Sequence, residues 1–133
     1  PHRTKRPWQG QEEEVNKEKR PSYDATCYLC PGNTRAGGKI TPQYNHTYVF
    51  ENDFAALPKE GPNFELNEGL LQAKSEQGRC WVVCFSPDHS KTLADLSTTE
   101  LERVLKTWQQ AYHELANLDN INYVQIFENP IYP

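Results

Sequence analysis

Helical periodicity occurs once in this chain, and that constrains everything around it. Leu101, Val104, Leu105, Trp108, Tyr112 and Leu115 recur at spacings of three and four, on one face of an α-helix. Ser97-Thr-Thr-Glu100 opens the stretch as a capping box. The hydroxyl takes an orphan N–H of the first turn, and the Glu reaches back to the cap's own N–H. Asn117, Asp119 and Asn120 mark the end. Trp108 reads as core, and His113 beside the stripe as exposed. A lone helix with one apolar stripe needs a second layer to cover it, and the remaining patterns are β. Residues 47–52 alternate, residues 79–86 are β-branched and aromatic, residues 70–74 read as a short strand, and residues 122–128 as the last strand. Residues 58–69, rich in Pro and Gly, read as a loop. The expected class is α+β: an antiparallel sheet with one long amphipathic helix across a face and long loops.

A chain of 133 residues makes one ordinary domain or one half of a larger enzyme. No apolar run approaches the ~18 residues of a transmembrane helix. No charged-then-apolar leader opens the chain, so a cytoplasmic protein is expected. The net charge of -4 argues against a nucleic-acid partner. Its distribution is uneven, because Arg3, Lys5 and Arg6 fall in the first ten residues with no acid among them. Such a segment is either a solvated basic terminus or a site for a small anion.

The four cysteines, Cys27, Cys30, Cys80 and Cys84, do not make one zinc site. Cys80 and Cys84 lie on one strand, where four steps of ~3.3 Å separate the sulfurs by roughly 13 Å. Both cannot sit ~2.3 Å from one ion. They read as small buried residues on one strand face. A two-disulfide secreted protein is the alternative, helped by the Asn45-His46-Thr47 sequon but by no leader. Cys27-Tyr-Leu-Cys30 differs, because Pro31-Gly32 turns the chain directly after it. A redox pair would open a helix there; a turn lets both thiols reach one metal. His46 and His89 are the loop candidates for further ligands, His89 standing just beyond a strand end.

Two further segments suggest a nucleotide site. His2-Arg-Thr-Lys-Arg-Pro-Trp8 gathers three cations and an aromatic, and Arg grips phosphate through its planar fork. Asn52-Asp53 ends a strand, where an amide and a carboxylate can read ribose hydroxyls or a base edge.

Five blocks now stand in order: His2-Arg-Thr-Lys-Arg-Pro-Trp-Gln-Gly10, Cys27-Tyr-Leu-Cys-Pro-Gly-Asn33, Tyr48-Val-Phe-Glu-Asn-Asp-Phe-Ala-Ala-Leu57, Cys84-Phe-Ser-Pro-Asp-His-Ser90 and Val124-Gln-Ile-Phe-Glu-Asn129. This pattern resembles the N-terminal half of the galactose-1-phosphate uridylyltransferase family, in the histidine-triad superfamily. Nucleotide phosphorylases and adenylyltransferases of that superfamily are the runner-up, disfavoured by Arg6-Pro-Trp-Gln-Gly10 and the Cys pair. The resemblance implies a histidine-triad-like fold and a ping-pong reaction. A histidine attacks the α-phosphorus of UDP-glucose, glucose 1-phosphate leaves, and galactose 1-phosphate takes the uridylyl group. It also implies zinc on Cys27, Cys30 and His89. Arg3 and Arg6 would contact phosphates, with Thr4 and Lys5 in the same segment. Ala36 would lie against uracil, Asn52 and Asp53 would hold the uridine portion, and Asn129 would hold a phosphate. The family forms homodimers.

One departure matters. After Phe-Glu-Asn the family continues with Lys-Gly and then His-Pro-His-Pro-His, the source of the fourth zinc ligand and the nucleophile. Here Pro130-Ile-Tyr-Pro133 follows, and no His-x-His occurs anywhere. Residues 1–133 are therefore expected to form a single N-terminal-half domain, incomplete at both ends and inactive alone. Water, His46 or Asp88 could complete the zinc shell. The other readings are an inactive truncated product, or a zinc-stabilised module that binds UDP-sugar or pairs with a subunit.

Overall fold

The computed structural model describes residues 20–128. Among them lie four short strands and one long helix: β1 (Tyr48–Glu51), β2 (Glu65–Glu68), β3 (Leu71–Lys74), β4 (Trp81–Cys84) and α1 (Thr98–Ala116). The class is α+β, as expected. The strands form two separate two-stranded antiparallel sheets, β1 with β4 and β2 with β3. In the first, Tyr48 faces Cys84 and Glu51 faces Trp81. In the second, Glu65 faces Lys74 and Glu68 faces Leu71.

The helix begins where the capping box places it. The Ser97 amide donates to Glu100 Oε2 at 2.8 Å, and the Ser97 hydroxyl donates to the same oxygen at 2.7 Å. Lys91 Nζ donates to Glu100 Oε1 at 2.9 Å. At the far end the Asn117 amide reaches the His113 carbonyl at 3.1 Å. His113 is exposed, as expected.

Three expectations are corrected. Residues 58–69 are not all loop, because β2 lies inside them and pairs with β3. Glu65-Leu-Asn-Glu68 lacks apolar alternation, so its strand character comes from backbone pairing across a turn at Gly69, whose φ is +64°. Residues 122–128 alternate like a strand but pair with nothing among the described residues. Alternation fixes which way side chains point, but a strand also needs a partner for its ladder. Finally, the helix stripe is not uniformly core. Val104 is 1% exposed, whereas Leu105 is 58% and Tyr112 47% exposed, and Trp108 is half-buried. A helix of 19 residues runs roughly 28 Å. A two-stranded sheet, its strands ~4.8 Å apart, covers only part of that length. The crossing is marked by Thr47 and Thr107, whose hydroxyl oxygens are 2.8 Å apart.

The core is small: Cys30, Phe50, Cys84, Leu96 and Val104, with Arg35 and Thr41 as buried polar members. Along one face of β1, Tyr48 stacks on Phe50 at 5.6 Å, and Tyr44 stacks on Tyr48 at 5.4 Å. Of the two strand cysteines, Cys84 is buried and Cys80, just before β4, is half-buried.

Lys91 and the Ser97 cap hold the Glu100 carboxyl down to about 2, from an ordinary 4.5. A depressed carboxyl stabilises the fold above its unfolded value and stops doing so as pH falls through the folded one. Comparison of the protein with Glu100→Gln by chemical denaturation should therefore give a stability difference that is full near neutrality. It should shrink between pH about 4.5 and about 2. A difference that does not change with pH would show that the charge contributes nothing. Ser97→Ala should cost about 1 kcal/mol at neutral pH.

Candidate metal centre and a cleft at the other end of the strand pair

The two cysteines sit on consecutive turns. The Cys27 amide donates to the Asp24 carbonyl at 3.2 Å, Cys30 to Cys27 at 3.1 Å, and Asn33 to Cys30 at 3.2 Å. The Asn33 side-chain amide then binds the Asp24 and Cys27 carbonyls at 2.8 and 2.7 Å. A small hairpin closes behind them: Gly32 donates to Thr41 at 2.9 Å, and Thr41 to Asn33 at 2.9 Å. Gly32 has φ +83°, and a Cβ there would meet Gln43 Nε2 at 2.5 Å, so only glycine fits without a shift. The fully buried Thr41 hydroxyl donates to the Tyr28 carbonyl at 3.0 Å, and Tyr44 Oη to the Leu29 carbonyl at 3.0 Å. The loop is thus held by its own backbone as well as by any ligand.

His89 enters from the other side, on the loop after β4. Asp88 Oδ1 accepts from the Ser90 amide at 3.0 Å and its hydroxyl at 2.6 Å. The His89 amide donates to the Ser22 carbonyl at 2.8 Å. These bonds bring one donor atom each from Cys27, Cys30 and His89 to within 4.8 Å of one another. Cys30 Sγ lies 3.6 Å from His89 Nδ1. A tetrahedral zinc with bonds of ~2.3 Å to sulfur and ~2.05 Å to nitrogen has an S···N edge of about 3.6 Å. The donor set of two thiols and an imidazole suits such an ion. Burial pushes the Cys30 thiol up, and the neighbouring Cys27 pushes it further. A cation between the two would reverse that, since thiolate is the ligand. Neither His46 nor Asp88 belongs to this cluster. His46 Nδ1 instead lies 3.2 Å from Arg103 Nη1.

Cys84 behaves as structural. Burial drives its thiol up to about 11, so it stays protonated.

Asn52 and Asp53 follow β1 directly, at the end of the ladder away from the metal ligands. The Asn52 amide donates to the Cys80 carbonyl at 2.8 Å, and its side-chain oxygen accepts from the Phe54 amide at 2.9 Å. Both residues line an open cleft of about 220 Å³, with Lys39, Lys59 and Arg79 around it. Lys59 pairs with Glu51. Asp53 is held between two cations: Oδ1 is 3.1 Å from Lys39 Nζ, and Oδ2 is 3.6 Å from Arg35 Nε. Ala36 begins the single turn of 3-10 helix, Ala36–Gly38, that separates those cations in sequence. The structure therefore brings the loop carrying Ala36 against Asp53. Sequence reading passed over Arg35 and Lys39. Their only signal was position, flanking Ala36 and the Gly37-Gly38 turn. Arg3, Thr4, Lys5, Arg6 and Asn129 lie outside the described residues.

If the three donors hold zinc, the purified protein should carry one equivalent, and Cys27→Ser should remove it and lower Tm by about 5 °C or more. Metal analysis showing unchanged content in the variant would overturn the assignment.

The family model described as galactose-1-phosphate uridyl transferase, N-terminal domain, matches residues 1–130. A galactose-1-phosphate uridylyltransferase of Haemophilus influenzae is 52% identical over 130 residues, covering 97% of this chain and 37% of the relative. The Saccharomyces cerevisiae enzyme of the same name is 42% identical over 142 residues, covering 97% of this chain and 39% of the relative. That of Schizosaccharomyces pombe is 40% identical over 145 residues, again 97% and 39%. The chain thus spans 37–39% of the length of these curated relatives. The chain belongs to the galactose-1-phosphate uridyl transferase family and corresponds to its N-terminal domain.

Proposed function

We propose that these residues form the nucleotide-binding and zinc-binding part of a UDP-glucose–hexose-1-phosphate uridylyltransferase. The whole enzyme would transfer UMP from UDP-glucose to galactose 1-phosphate. The observation that carries this reading is the placement of the Cys27–Cys30–His89 donors and the Asn52–Asp53 cleft at opposite ends of the β1–β4 pair.

In this reading Asp53 accepts hydrogen bonds from ribose hydroxyls, Asn52 binds the same uridine portion, and Ala36 lies against the uracil. Arg3 and Arg6, with Thr4 and Lys5 beside them, bind the phosphates, as does Asn129. Cationic donors there offset the charge that grows on the phosphoryl oxygens during transfer. Zinc, when bound, would tie the Cys27–Cys30 turn to the loop carrying His89, a structural role.

The reaction proceeds in two displacements. A histidine ring nitrogen bonds to the α-phosphorus of UDP-glucose, the bond to the bridging oxygen breaks, and glucose 1-phosphate departs. A phosphate oxygen of galactose 1-phosphate then attacks the uridylyl-histidine, giving UDP-galactose and freeing the ring. The histidines of this chain, His2, His46, His89 and His113, include no His-x-His, so none matches that nucleophile. The 133 residues would bind nucleotide without turning it over. Taken alone they would act as a zinc-stabilised UDP-sugar-binding or subunit-pairing module. The intact enzyme is proposed to be a cytoplasmic homodimer. No described helix is long and apolar enough to cross a membrane.

Two measurements test this. Arg3→Ala/Arg6→Ala should weaken UDP binding by roughly a hundredfold, since each charged hydrogen bond is worth on the order of tenfold or more. Retained affinity rejects the phosphate assignment. Incubation of the 133-residue chain with UDP-glucose labelled in its uridylyl group should give no protein-bound label and no glucose 1-phosphate. A stable uridylyl adduct would mean that the chain carries a nucleophile after all.

A further inference from the structure

We infer that Arg35 is a positioning residue for Asp53, fixing the carboxylate toward the cleft without itself touching a ligand. The inference rests on the reading of Asp53 as a contact to the ribose of a nucleotide, and it names a group on which that contact depends.

Arg35 is anchored from three sides. Its amide donates to the Lys39 carbonyl at 2.6 Å, and the flanking Thr34 and Ile40 form a β-bridge. Its guanidinium carbon stands 3.7 Å from the centroid of the Phe50 ring. Phe50 is itself buried on β1, three residues before Asp53. A planar cation over an aromatic face is favoured, and a lysine could not reproduce the stacking.

The hydrogen bonding of Arg35 is incomplete. Nε and Nη1 are buried and donate to nothing. Unfilled buried donors are costly, and an apolar side chain of similar volume would pack there at less cost. The arrangement is therefore not explained by stability alone. What the guanidinium does is place positive charge 3.6 Å from Asp53 Oδ2. That separation is an ion pair and exceeds hydrogen-bond length, so Arg35 leaves the acceptor sites of Oδ2 for another donor.

The two cations at Asp53 differ in accessibility. The Lys39 side chain is 62% exposed, while that of Arg35 is 7% and that of Asp53 8% exposed. Lys39 and Asp53 line the cleft, and Arg35 does not. An incoming hydroxyl can displace the flexible Lys39 from Oδ1. Arg35, stacked on Phe50, stays and keeps the carboxylate aimed.

The alternative is a purely structural clamp between the Ala36 turn and β1. Calorimetric affinities for UDP and for 2′,3′-dideoxy-UDP, which lacks both ribose hydroxyls, separate the two. The unaltered protein should prefer UDP on the order of tenfold, as expected for hydrogen bonds to a charged acceptor. Asp53→Asn and Arg35→Met should each abolish most of that preference, and the double variant should lose no more than either alone, because the pair acts as a unit. If Arg35→Met weakens both ligands equally and keeps the preference, Arg35 is only a clamp and the inference falls. If Asp53→Asn also keeps the preference, or the unaltered protein shows none, the ribose reading of Asp53 fails and takes the inference with it. Should Arg35→Met not fold, Arg35→Gln, which keeps a polar side chain and removes the charge, carries the same comparison.

Discussion

The antiparallel pairing of β1 with β4 is the constraint on which both candidate sites depend. The ladder is only four residues long, from Tyr48–Cys84 to Glu51–Trp81. Antiparallel pairing brings the exit of β1 beside the entry of β4. Asn52 therefore meets Cys80, and the cleft opens at that end. At the other end β4 runs out into the loop that delivers His89 to the cysteines. A parallel pair would have placed both exits together. The placement of the two sites at opposite ends of the strand pair is thus a consequence of strand direction.

The long segment before β1 supplies the rest of both sites through backbone hydrogen bonding. Between Asp24 and Tyr44 the chain contributes Cys27 and Cys30 to one end, and Arg35, Ala36 and Lys39 to the other. Asn33 is the hinge of that division, because its side chain ties down the cysteine turns and its backbone pairs with Thr41. Tyr44 joins the segment to the sheet: its hydroxyl reaches the Leu29 and Ser86 carbonyls, and its ring continues the stack onto Tyr48 and Phe50. Phe50 ends that stack and carries the Arg35 guanidinium. One aromatic row therefore runs from the metal loop to the cation beside Asp53.

Much of this was legible in the residues because it is local. Ser97 to Glu100 fixes a helix start through atoms three residues apart, and Pro31-Gly32 forces the turn that lets Cys27 and Cys30 face one ion. Illegible parts were those that depend on partners far along the chain. Glu65–Glu68 has no strand pattern of its own and pairs because Gly69 turns it onto β3. The reverse holds for residues 122–128, which have the pattern but no ladder among the described residues. Arg35 gave no signal beyond its position because a lone loop arginine is normally solvated, and its burial depends on Phe50.

The sequence by itself determined the α+β class, the capped helix, the Cys-x2-Cys turn and the family. Each rests on short-range spacing or on ordered motifs that survive without coordinates. The family resemblance already placed His89 with those cysteines, but local pattern could not, because they are 59 residues or more apart and loop closure over that span leaves no mark there; the geometry of the cluster came from the tertiary structure. It alone decided that Asp53 lies between Lys39 and a buried Arg35, and that among the described residues Val104 is the one member of the helix stripe fully buried. Burial and charge pairing are properties of what the chain brings together, and the fold alone sets them.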